Sequence, residues 1–337
     1  MIDLPISELR CDPIVGRKVL IAEDRARRPN DYAGLQVDEG ISASCPFCAG
    51  HEGETPAAVV EVPGDDGSWR VRVIPNKYPA VRCDAAAGNR SDSDEFSLGS
   101  AQAPLGAHEV IVESSRHLRD IDDLSTDELA TVLGVYRDRL RHWASDGQLR
   151  HATLFKNVGF TAGASLEHVH SQLVVLPFVP AVVEAELEGA RRYFQEHGEC
   201  IFCRLLADER RLAVRWVAEV GPFAAFCAYA GRQPYETWLL PSEHAAQFHL
   251  LADRDIVSLA TLLQQVLLRL RMRLSPLSYN LILHTLPFDS EGKSSYHWHW
   301  ELIPRSSHLA GLEWGAGVHI NPLSPERAAH LLQNVKL

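Results

Sequence analysis

Two stretches of the chain place apolar residues at spacings of three and four, the period that indicates an amphipathic α-helix. Ser125 and Glu128 precede the first stretch with the spacing of a capping box, which predicts where that helix begins. A third helix is predicted from VEAELEGARRYFQEHGEC, which links the two halves of the chain. The apolar positions are Leu129, Val132, Leu133, Tyr136 and Leu140 in the first stretch and Ile256, Leu259, Leu263, Val266 and Leu270 in the second.

Six short segments are enriched in β-branched and aromatic residues and are bounded by turn residues, which predicts strands. They read EVIVES, TLFKNV and HSQLVVLP in the first half of the chain and ETWLLP, YNLILHT and WHWELIP in the second. Between Cys83 and Gly106 the chain is polar and rich in Gly, Ser and Ala, which predicts an insertion in the first half.

The two halves carry the same landmarks in the same order: a C-x-x-C pair, a strand-like segment, a histidine, a helix and a His-x-His pair. The interval from His117 to His168 is 51 residues, and the interval from His244 to His297 is 53. This repetition predicts an α+β protein made of two copies of one unit, with domains at residues 1–190 and 191–337.

The overall composition narrows the class of protein. The chain has 337 residues, of which 46% are hydrophobic and 23% charged, as in globular proteins of ordinary composition. Its net charge of −11 disfavours a nucleic-acid or anionic-lipid surface but leaves room for small anionic substrates. It contains no apolar run long enough to cross a bilayer. Its first residues lack the pattern of a secretory signal, so we expect a cytoplasmic protein.

Four of the seven cysteines form two C-x-x-C pairs, which favours metal binding over disulfides in such a chain. Each pair of thiolates can share one Zn²⁺ with two histidines in a tetrahedral site. His108 competes for the first site, but it has no counterpart in the second half. The predicted quartets are Cys45, Cys48, His117 and His168 in the first unit and Cys200, Cys203, His244 and His297 in the second.

A closed four-ligand site leaves no position for substrate, so the chemistry is expected elsewhere. In a strand, residues i and i+2 share a face, which places His170 beside the ligand His168. A neutral imidazole is a good nucleophile toward phosphorus, and Gln172 could donate to a phosphoryl oxygen. Upstream, NVGFTAGAS offers glycines that let backbone amides approach phosphate.

The stretch NVGFTAGASLEHVHSQ resembles the active-site pattern N-x-G-x-x-x-G-x-S-x-x-H-P-H-G-Q of galactose-1-phosphate uridylyltransferases, members of the histidine-triad superfamily. VLIAEDRARRP, IPNKYPAV, PYETWLLPSEH and HTLPF extend the resemblance over most of the chain. It implies two tandem histidine-triad-like units forming a half-barrel, with the active site at a homodimer interface. It also implies one or two Zn²⁺ per chain.

The resemblance implies a role for individual residues. His170 would be the nucleophile that carries the nucleotidyl group, with Gln172 beside it. Asn76 would lie by the base or ribose. The remaining expected substrate contacts, all to phosphate, are Arg25, Arg28, Asn157, Gly163 and Ser165.

Several positions depart from the family pattern. Val169 and Ser171 replace the usual Pro and Gly, and Lys77 replaces an acidic residue after the base-binding Asn. The tail AGLEWGAGVHINPLSPERAA resembles a branch of phosphorylases of the ADP-glucose type, which hold two Cys₂His₂ zincs. In many uridylyltransferases a second metal is instead held by residues that correspond here to Glu186, His284, His297 and His299.

The leading expectation is therefore an exchange of UDP-glucose with galactose 1-phosphate through a nucleotidyl-histidine. The substrates would be a nucleotide sugar and a sugar phosphate. One alternative is a nucleotide-sugar phosphorylase, an ADP-glucose:phosphate adenylyltransferase. A second is nucleotide hydrolysis, which Gln172 disfavours because hydrolytic relatives have a third histidine there. A different class is a non-catalytic, zinc-organised binding protein.

Overall fold

A computed structural model describes residues 7–27, 45–64, 67–84, 104–306 and 309–337. Within these residues the chain forms thirteen strands and six α-helices. The strands are β1 Glu8–Cys11, β2 Lys18–Ile21, β3 Val60–Pro63, β4 Trp69–Pro75, β5 Ala107–Val112, β6 His151–Val158, β7 His170–Leu176, β8 Trp216–Val220, β9 Phe223–Cys227, β10 Thr237–Pro241, β11 Tyr279–His284, β12 His299–Pro304 and β13 His319–Asn321. The helices are α1 Thr126–Ala144, α2 Ala181–His197, α3 Ile201–Leu212, α4 Asp253–Arg273, α5 Gly311–Ala316 and α6 Pro325–Gln333.

Ten of the strands form one antiparallel sheet in the order β3-β4-β5-β7-β6-β11-β12-β10-β9-β8. The last five repeat the first five in reverse order, so that β6 and β11 meet at the centre as equivalent strands. The sheet is open, because β3 and β8 each pair with one neighbour only. The predicted α+β fold of two sheet-and-helix units in a half-barrel is confirmed, and all six predicted strands are present.

The two predicted amphipathic helices are α1 and α4, which pack together on one face of the sheet. At the start of α1, the Ser125 side chain accepts from the Glu128 backbone amide, while Glu128 accepts from the Ser125 amide. This reciprocal pair satisfies two amides that have no partner inside the helix. All ten apolar positions predicted for the two helices are buried in one core that spans both units.

The opposite face of the sheet is covered in part by α2 and α3. The predicted linking helix is α2, and α3 begins directly after Cys200. Three further strands, β1, β2 and β13, form a small separate sheet that joins the two ends of the chain. Most of the insertion predicted between Cys83 and Gly106 lies outside the described residues.

In neither unit does the strand include both histidines of the His-x-His pair. Strand β7 begins at His170 and β12 begins at His299, so His168 lies in a bend before its strand and His297 in the irregular segment before its strand. The expected strand alternation therefore holds only from the second histidine onward. No helix among the described residues is both long enough and apolar enough to span a membrane.

Candidate functional site

The first predicted metal quartet comes together at one end of β7. Cys45 and Cys48 lie on a turn, closed by a backbone hydrogen bond of 3.2 Å from the Cys48 amide to the Cys45 carbonyl. The Nδ1 atom of His168 lies 3.5 Å from the Cys45 sulfur and 3.6 Å from the Cys48 sulfur. The Nδ1 atom of His117 lies 3.3 Å from the Cys48 sulfur. The four ligand atoms form one compact group.

These spacings fit a tetrahedral zinc ion. Bonds of the usual Zn–S and Zn–N lengths at a tetrahedral angle put sulfur and nitrogen about 3.6 Å apart. The other ring nitrogen of His168 donates to the Ser114 carbonyl oxygen at 2.8 Å, which leaves the Nδ1 lone pair facing the cysteines. Burial lowers the pKa of His168 to about 4, so this ring is neutral at physiological pH and able to coordinate.

The second quartet repeats this arrangement. The Cys203 sulfur lies 3.3 Å from Nδ1 of His244 and 3.5 Å from Nδ1 of His297, and Cys200 completes the group. His244 donates from its Nε2 to the Lys293 carbonyl oxygen at 2.6 Å. The pattern of buried and exposed members along the four residues is the same in both quartets. The chain therefore holds two Cys₂His₂ groups able to bind a metal.

A third cluster lies next to the second quartet and contains Glu186, His284 and His299. His284 lies 2.9 Å from one Glu186 oxygen and 3.2 Å from a Glu301 oxygen. Burial alone would lower the pKa of His284, but these two carboxylates outweigh it and raise the pKa to about 10. His297, the fourth member in the alternative ligand set, has its Nδ1 with Cys203. The contacts in this cluster thus favour ion pairs between His284 and the carboxylates over a bound metal ion.

His170 is the first residue of β7, and its ring is held by a backbone carbonyl two residues earlier in the chain. Its Nδ1 donates to the His168 carbonyl oxygen at 2.7 Å, so the neutral ring carries its lone pair on Nε2. The Phe47 ring, between the two cysteines, packs against it with ring centroids 5.3 Å apart. Burial, and then the positive charge of Lys156, lower the pKa of His170. The ring is therefore neutral, oriented and equipped with a free lone pair.

A buried polar network lies behind this histidine. Glu113 accepts hydrogen bonds from Lys156 at 2.6 Å, from Tyr136 and from Ser171. Lys156 also donates to the His170 carbonyl oxygen at 2.8 Å. Lys156 on β6 therefore links Glu113, which follows β5, to the first residue of β7. Both charged side chains are almost fully buried, so solvent does not screen their ion pair.

Three amide side chains predicted to contact substrate are each held by their oxygen atoms. Gln172 Oε1 lies 2.9 Å from His108 Nε2, and Asn76 Oδ1 accepts from the Tyr78 backbone amide at 2.8 Å. Asn157 Oδ1 accepts from Asn280 at 2.8 Å. His108 therefore contacts Gln172 and Asn76, and it is absent from the metal groups found among the described residues.

The orientation of the Asn280 amide is fixed, because its nitrogen also donates to the Ala162 carbonyl oxygen at 2.9 Å. Exchanging the amide nitrogen and oxygen would break this hydrogen bond. This bond fixes the orientation of Asn157 in turn and leaves the Asn157 nitrogen available. Asn157 belongs to β6 and Asn280 to β11, so this contact joins the two units at the centre of the sheet.

The glycine-rich approach forms a short 3₁₀ turn after β6. Gly159 has φ +79°, and a Cβ atom there would lie 2.1 Å from the Ser278 hydroxyl oxygen, so only glycine fits. Gly163 and Ser165 are exposed on the loop that leads to His168. Arg25 is exposed in the 3₁₀ turn Glu23–Arg27, and no described contact joins it to His170 or to the three amides. Arg28 lies outside the described residues.

His299 occupies the place of His170 in the second unit, but its surroundings differ. The rings of Trp238 and His284 stack against it, each with a centroid distance of 4.7 Å, and Phe202 packs at 5.0 Å. Only 1% of its surface is exposed, against 8% for His170. The second unit therefore keeps the histidine but encloses it.

The sequence interpretation missed the residues that support the site, above all Phe47, Glu113, Lys156 and Asn280. A signal existed for Phe47, because both C-x-x-C pairs have phenylalanine before the second cysteine and both phenylalanines pack on the second histidine of their unit. Glu113, Lys156 and Asn280 have no local pattern that would distinguish them from surface residues.

The fold and the two Cys₂His₂ groups together define the class of protein. One antiparallel sheet is shared by two units, each with a helix, a Cys₂His₂ group and a His-x-His pair, as in a two-unit protein of the histidine-triad type. In only one unit does the second histidine follow a glycine-rich loop and share its strand face with an anchored amide, that of Gln172.

The chain belongs to the galactose-1-phosphate uridylyltransferase family. Residues 3–180 match the family described as galactose-1-phosphate uridyl transferase, N-terminal domain. An ADP-glucose phosphorylase of Arabidopsis thaliana is 34% identical, over 98% of this chain and 93% of that protein. A galactose-1-phosphate uridylyltransferase of Thermotoga maritima is 25% identical, over 98% and 99% of the two chains.

A solved structure supports the same relationship. The crystal structure of an ADP-glucose phosphorylase from Arabidopsis thaliana with bound ADP-glucose superposes with a TM-score of 0.85 at 32% identity. The match covers 98% of this chain and all of the other. The protein is thus an enzyme of the nucleotidyltransferase type.

Proposed function

We propose that the protein is a nucleotide-sugar phosphorylase that transfers the adenylyl group of ADP-glucose to phosphate. The observation that carries the proposal is the His170 ring, with Nδ1 tied to the His168 carbonyl, Nε2 left free, and the anchored amide of Gln172 on the same face of β7. A free imidazole nitrogen in this setting suits nucleophilic attack at phosphorus.

The reaction would run in two displacements. Nε2 of His170 attacks the α-phosphorus of ADP-glucose, the bond to the bridging oxygen breaks, and glucose 1-phosphate leaves. An oxygen of inorganic phosphate then attacks the same phosphorus, the P–N bond breaks, and ADP forms with His170 restored. The hydrogen bond from Nδ1–H to the His168 carbonyl stabilises the positive charge that the ring carries in the intermediate.

The amide nitrogens of Gln172 and Asn157 would serve the phosphates, and Asn76 would lie by the base or ribose. Gln172 and Asn157 are each bound through the amide oxygen, so their N–H groups remain free for acceptor atoms of a ligand. Donors held in place before the reaction stabilise charge that develops on phosphoryl oxygens in the transition state. The exposed loop around Gly163 and Ser165 adds backbone and hydroxyl donors, and Arg25 and Arg28 would contact phosphate.

We also propose that both Cys₂His₂ groups hold zinc, two ions per chain, with a structural role. Four protein ligands leave no open position on the metal, so bound zinc would fix the first C-x-x-C turn, the start of α3, and the segments that lead into β7 and β12. In the first unit, this places Phe47 against His170. The Glu186 cluster would carry a proton on His284 in place of a metal.

The choice of ADP-glucose over UDP-glucose draws on two observations. The Arabidopsis ADP-glucose phosphorylase is the more similar relative, at 34% identity against 25% for the Thermotoga uridylyltransferase over equal shares of this chain. Lys77 stands where the uridylyltransferase pattern has an acidic residue, and it donates to the Glu54 carbonyl oxygen at 3.2 Å. The second candidate remains the exchange of UDP-glucose with galactose 1-phosphate, which the family match supports.

Side-by-side kinetics test this proposal. The wild-type enzyme is assayed with ADP-glucose plus phosphate, and separately with UDP-glucose plus galactose 1-phosphate, with His170→Ala as the blank. We expect kcat/KM for the first pair to exceed that for the second by at least about tenfold. The reverse order would replace the phosphorylase by the uridylyltransferase, and no turnover with either pair would refute both.

A further inference from the structure

We propose that His108 is a positioning residue that fixes the side-chain amide of Gln172 for catalysis. The proposal rests on the function proposed above, in which Gln172 donates to a phosphoryl oxygen. His108 was considered from the sequence only as a metal ligand. The structure assigns it a different task, because its ring lies between a backbone amide and the Gln172 carbonyl oxygen.

The tautomer of His108 follows from its first contact. Nδ1 lies 3.1 Å from the backbone nitrogen of Ala80. A backbone N–H can only donate, so Nδ1 must accept and the proton of the neutral ring must be on Nε2. Unlike a contact between two side chains, this assignment cannot be reversed by turning an amide or a hydroxyl.

The orientation of Gln172 follows from the tautomer. The Nε2–H group of His108 lies 2.9 Å from Gln172 and needs an acceptor, which must be the amide oxygen Oε1. The Gln172 nitrogen, with two N–H donors, is then directed away from His108 and stays available. The Asn76 nitrogen also lies 3.1 Å from Nε2 of His108, but an amide nitrogen cannot accept a hydrogen bond, so the acceptor of the Nε2 proton is Gln172. The backbone amide of Ala80 thus sets the Gln172 amide with its donors free.

The second unit shows what these two positions become without a catalytic task. Strands β5 and β7 pair in the same relative register as β10 and β12, so His108 corresponds to Glu236 and Gln172 to Glu301. There the guanidinium of Arg232 binds both carboxylates, at 3.0 Å for Glu236 and 2.5 Å for Glu301. Both units link these two positions, the first by a hydrogen bond between neutral side chains and the second by ion pairs with Arg232.

The tautomer is tested first without substrate. In ¹⁵N-histidine-labelled protein, a long-range ¹H–¹⁵N correlation reports which ring nitrogen carries the proton, with His108→Phe to assign the signal. We expect a neutral ring with the proton on Nε2 at pH 7.5. A proton on Nδ1, or on both nitrogens, would overturn the proposal whether or not the enzyme has the proposed activity.

Kinetics then test the positioning. We expect His108→Phe to lower kcat about tenfold with KM changed less than about twofold, because the lost bond holds a donor needed in the transition state. His108→Gln can still donate near the position of Nε2, and we expect it to recover most of the rate. In the Gln172→Ala background, His108→Phe should cause no further loss.

Each kinetic outcome has one meaning. Equal losses from His108→Phe in both backgrounds, with metal content and melting temperature as in the wild type, would make His108 independent of Gln172 and refute the proposal. A wild-type kcat in His108→Phe would refute it as well. Absence of nucleotidyl transfer in the wild type would instead refute the proposed function, and the tautomer measurement would still stand.

Discussion

The Nδ1 atom of His170 lies 2.7 Å from the carbonyl oxygen of His168, two residues earlier in the chain. His168 faces the cysteines through its own Nδ1 and is anchored at the other ring nitrogen by the Ser114 carbonyl. The orientation of the reactive ring is therefore coupled to the proposed metal site through one short piece of backbone. A metal bound there, as proposed, would hold the His170 ring in place through this piece of backbone.

Replacing His170 by alanine is expected to abolish transfer, with kcat reduced at least about 10⁴-fold, because the group that forms the covalent intermediate is gone. Two zinc ions per chain and a melting temperature near that of the wild type are expected to remain. The matched control is His299→Ala, which removes the enclosed counterpart. His299→Ala is expected to lower the melting temperature but to leave kcat of the folded enzyme without a comparable loss. Residual turnover by His170→Ala above one per cent would contradict the assignment.

Removing one thiolate should release one metal ion. Cys45→Ser is expected to contain one zinc ion per chain where the wild type contains two, and to melt at a lower temperature, because part of the metal-binding free energy is folding free energy. The exposed Cys11 provides the control Cys11→Ser, which should keep both ions. Elemental analysis by mass spectrometry measures the content. Two ions in Cys45→Ser would refute the first quartet.

The pair of Glu113 and Lys156 should be worth more than a surface ion pair. Lys156→Met leaves the Glu113 charge buried without its partner, and we expect a loss of about 3–5 kcal/mol in the free energy of unfolding. The double variant Glu113→Gln/Lys156→Met should lose clearly less, since no unpaired charge remains. Denaturant titration of the wild type, Lys156→Met, Glu113→Gln and the double variant measures this. Purely additive losses would show that the two residues do not interact.

His151 should make stability depend on pH. Burial, and then the charge of His284, lower its pKa to about 4, so the folded state favours the neutral ring. Its contribution is fully present above the unfolded pKa of about 6.5 and is lost as pH falls toward 4. Between pH 7 and 5.5 the wild type should lose about 1.2 kcal/mol more unfolding free energy than His151→Gln. Parallel pH dependences in the two proteins would contradict this.

The sequence predicted the architecture well because the signals for it are local and were present twice. Helix periods, a capping box and two C-x-x-C pairs predict elements directly, and the repeat predicts how they correspond. The predicted strand HSQLVVLP begins at His170, as β7 does, but the bend at His168 was not predictable, because it depends on contacts with Ser114 and Cys45 from distant parts of the chain. The domain boundary at residue 190 stays a prediction.

The supporting residues of the site were not predictable for the same reason. Asn280 reaches Asn157 across 123 positions of sequence, and His108 reaches Gln172 across 64. Nothing next to Asn280 or His108 in the chain indicates these partners. His108 lies outside the candidate metal groups of the described residues, in agreement with its lower rank as a ligand, and its contact with Gln172 depends on the register of β5 against β7.

The central claim is that His170 carries the nucleotidyl group, and trapping that intermediate tests it most directly. The wild type and His170→Ala are incubated with ADP-glucose labelled with ³²P at the α-phosphate, without phosphate, and quenched in base, where phosphohistidine survives. A parallel incubation uses α-labelled UDP-glucose. We expect label on the wild type from ADP-glucose, none on His170→Ala, and loss of the label as ADP when phosphate is added. Equal labelling of both proteins, or none on an enzyme that turns over ADP-glucose, would contradict the account.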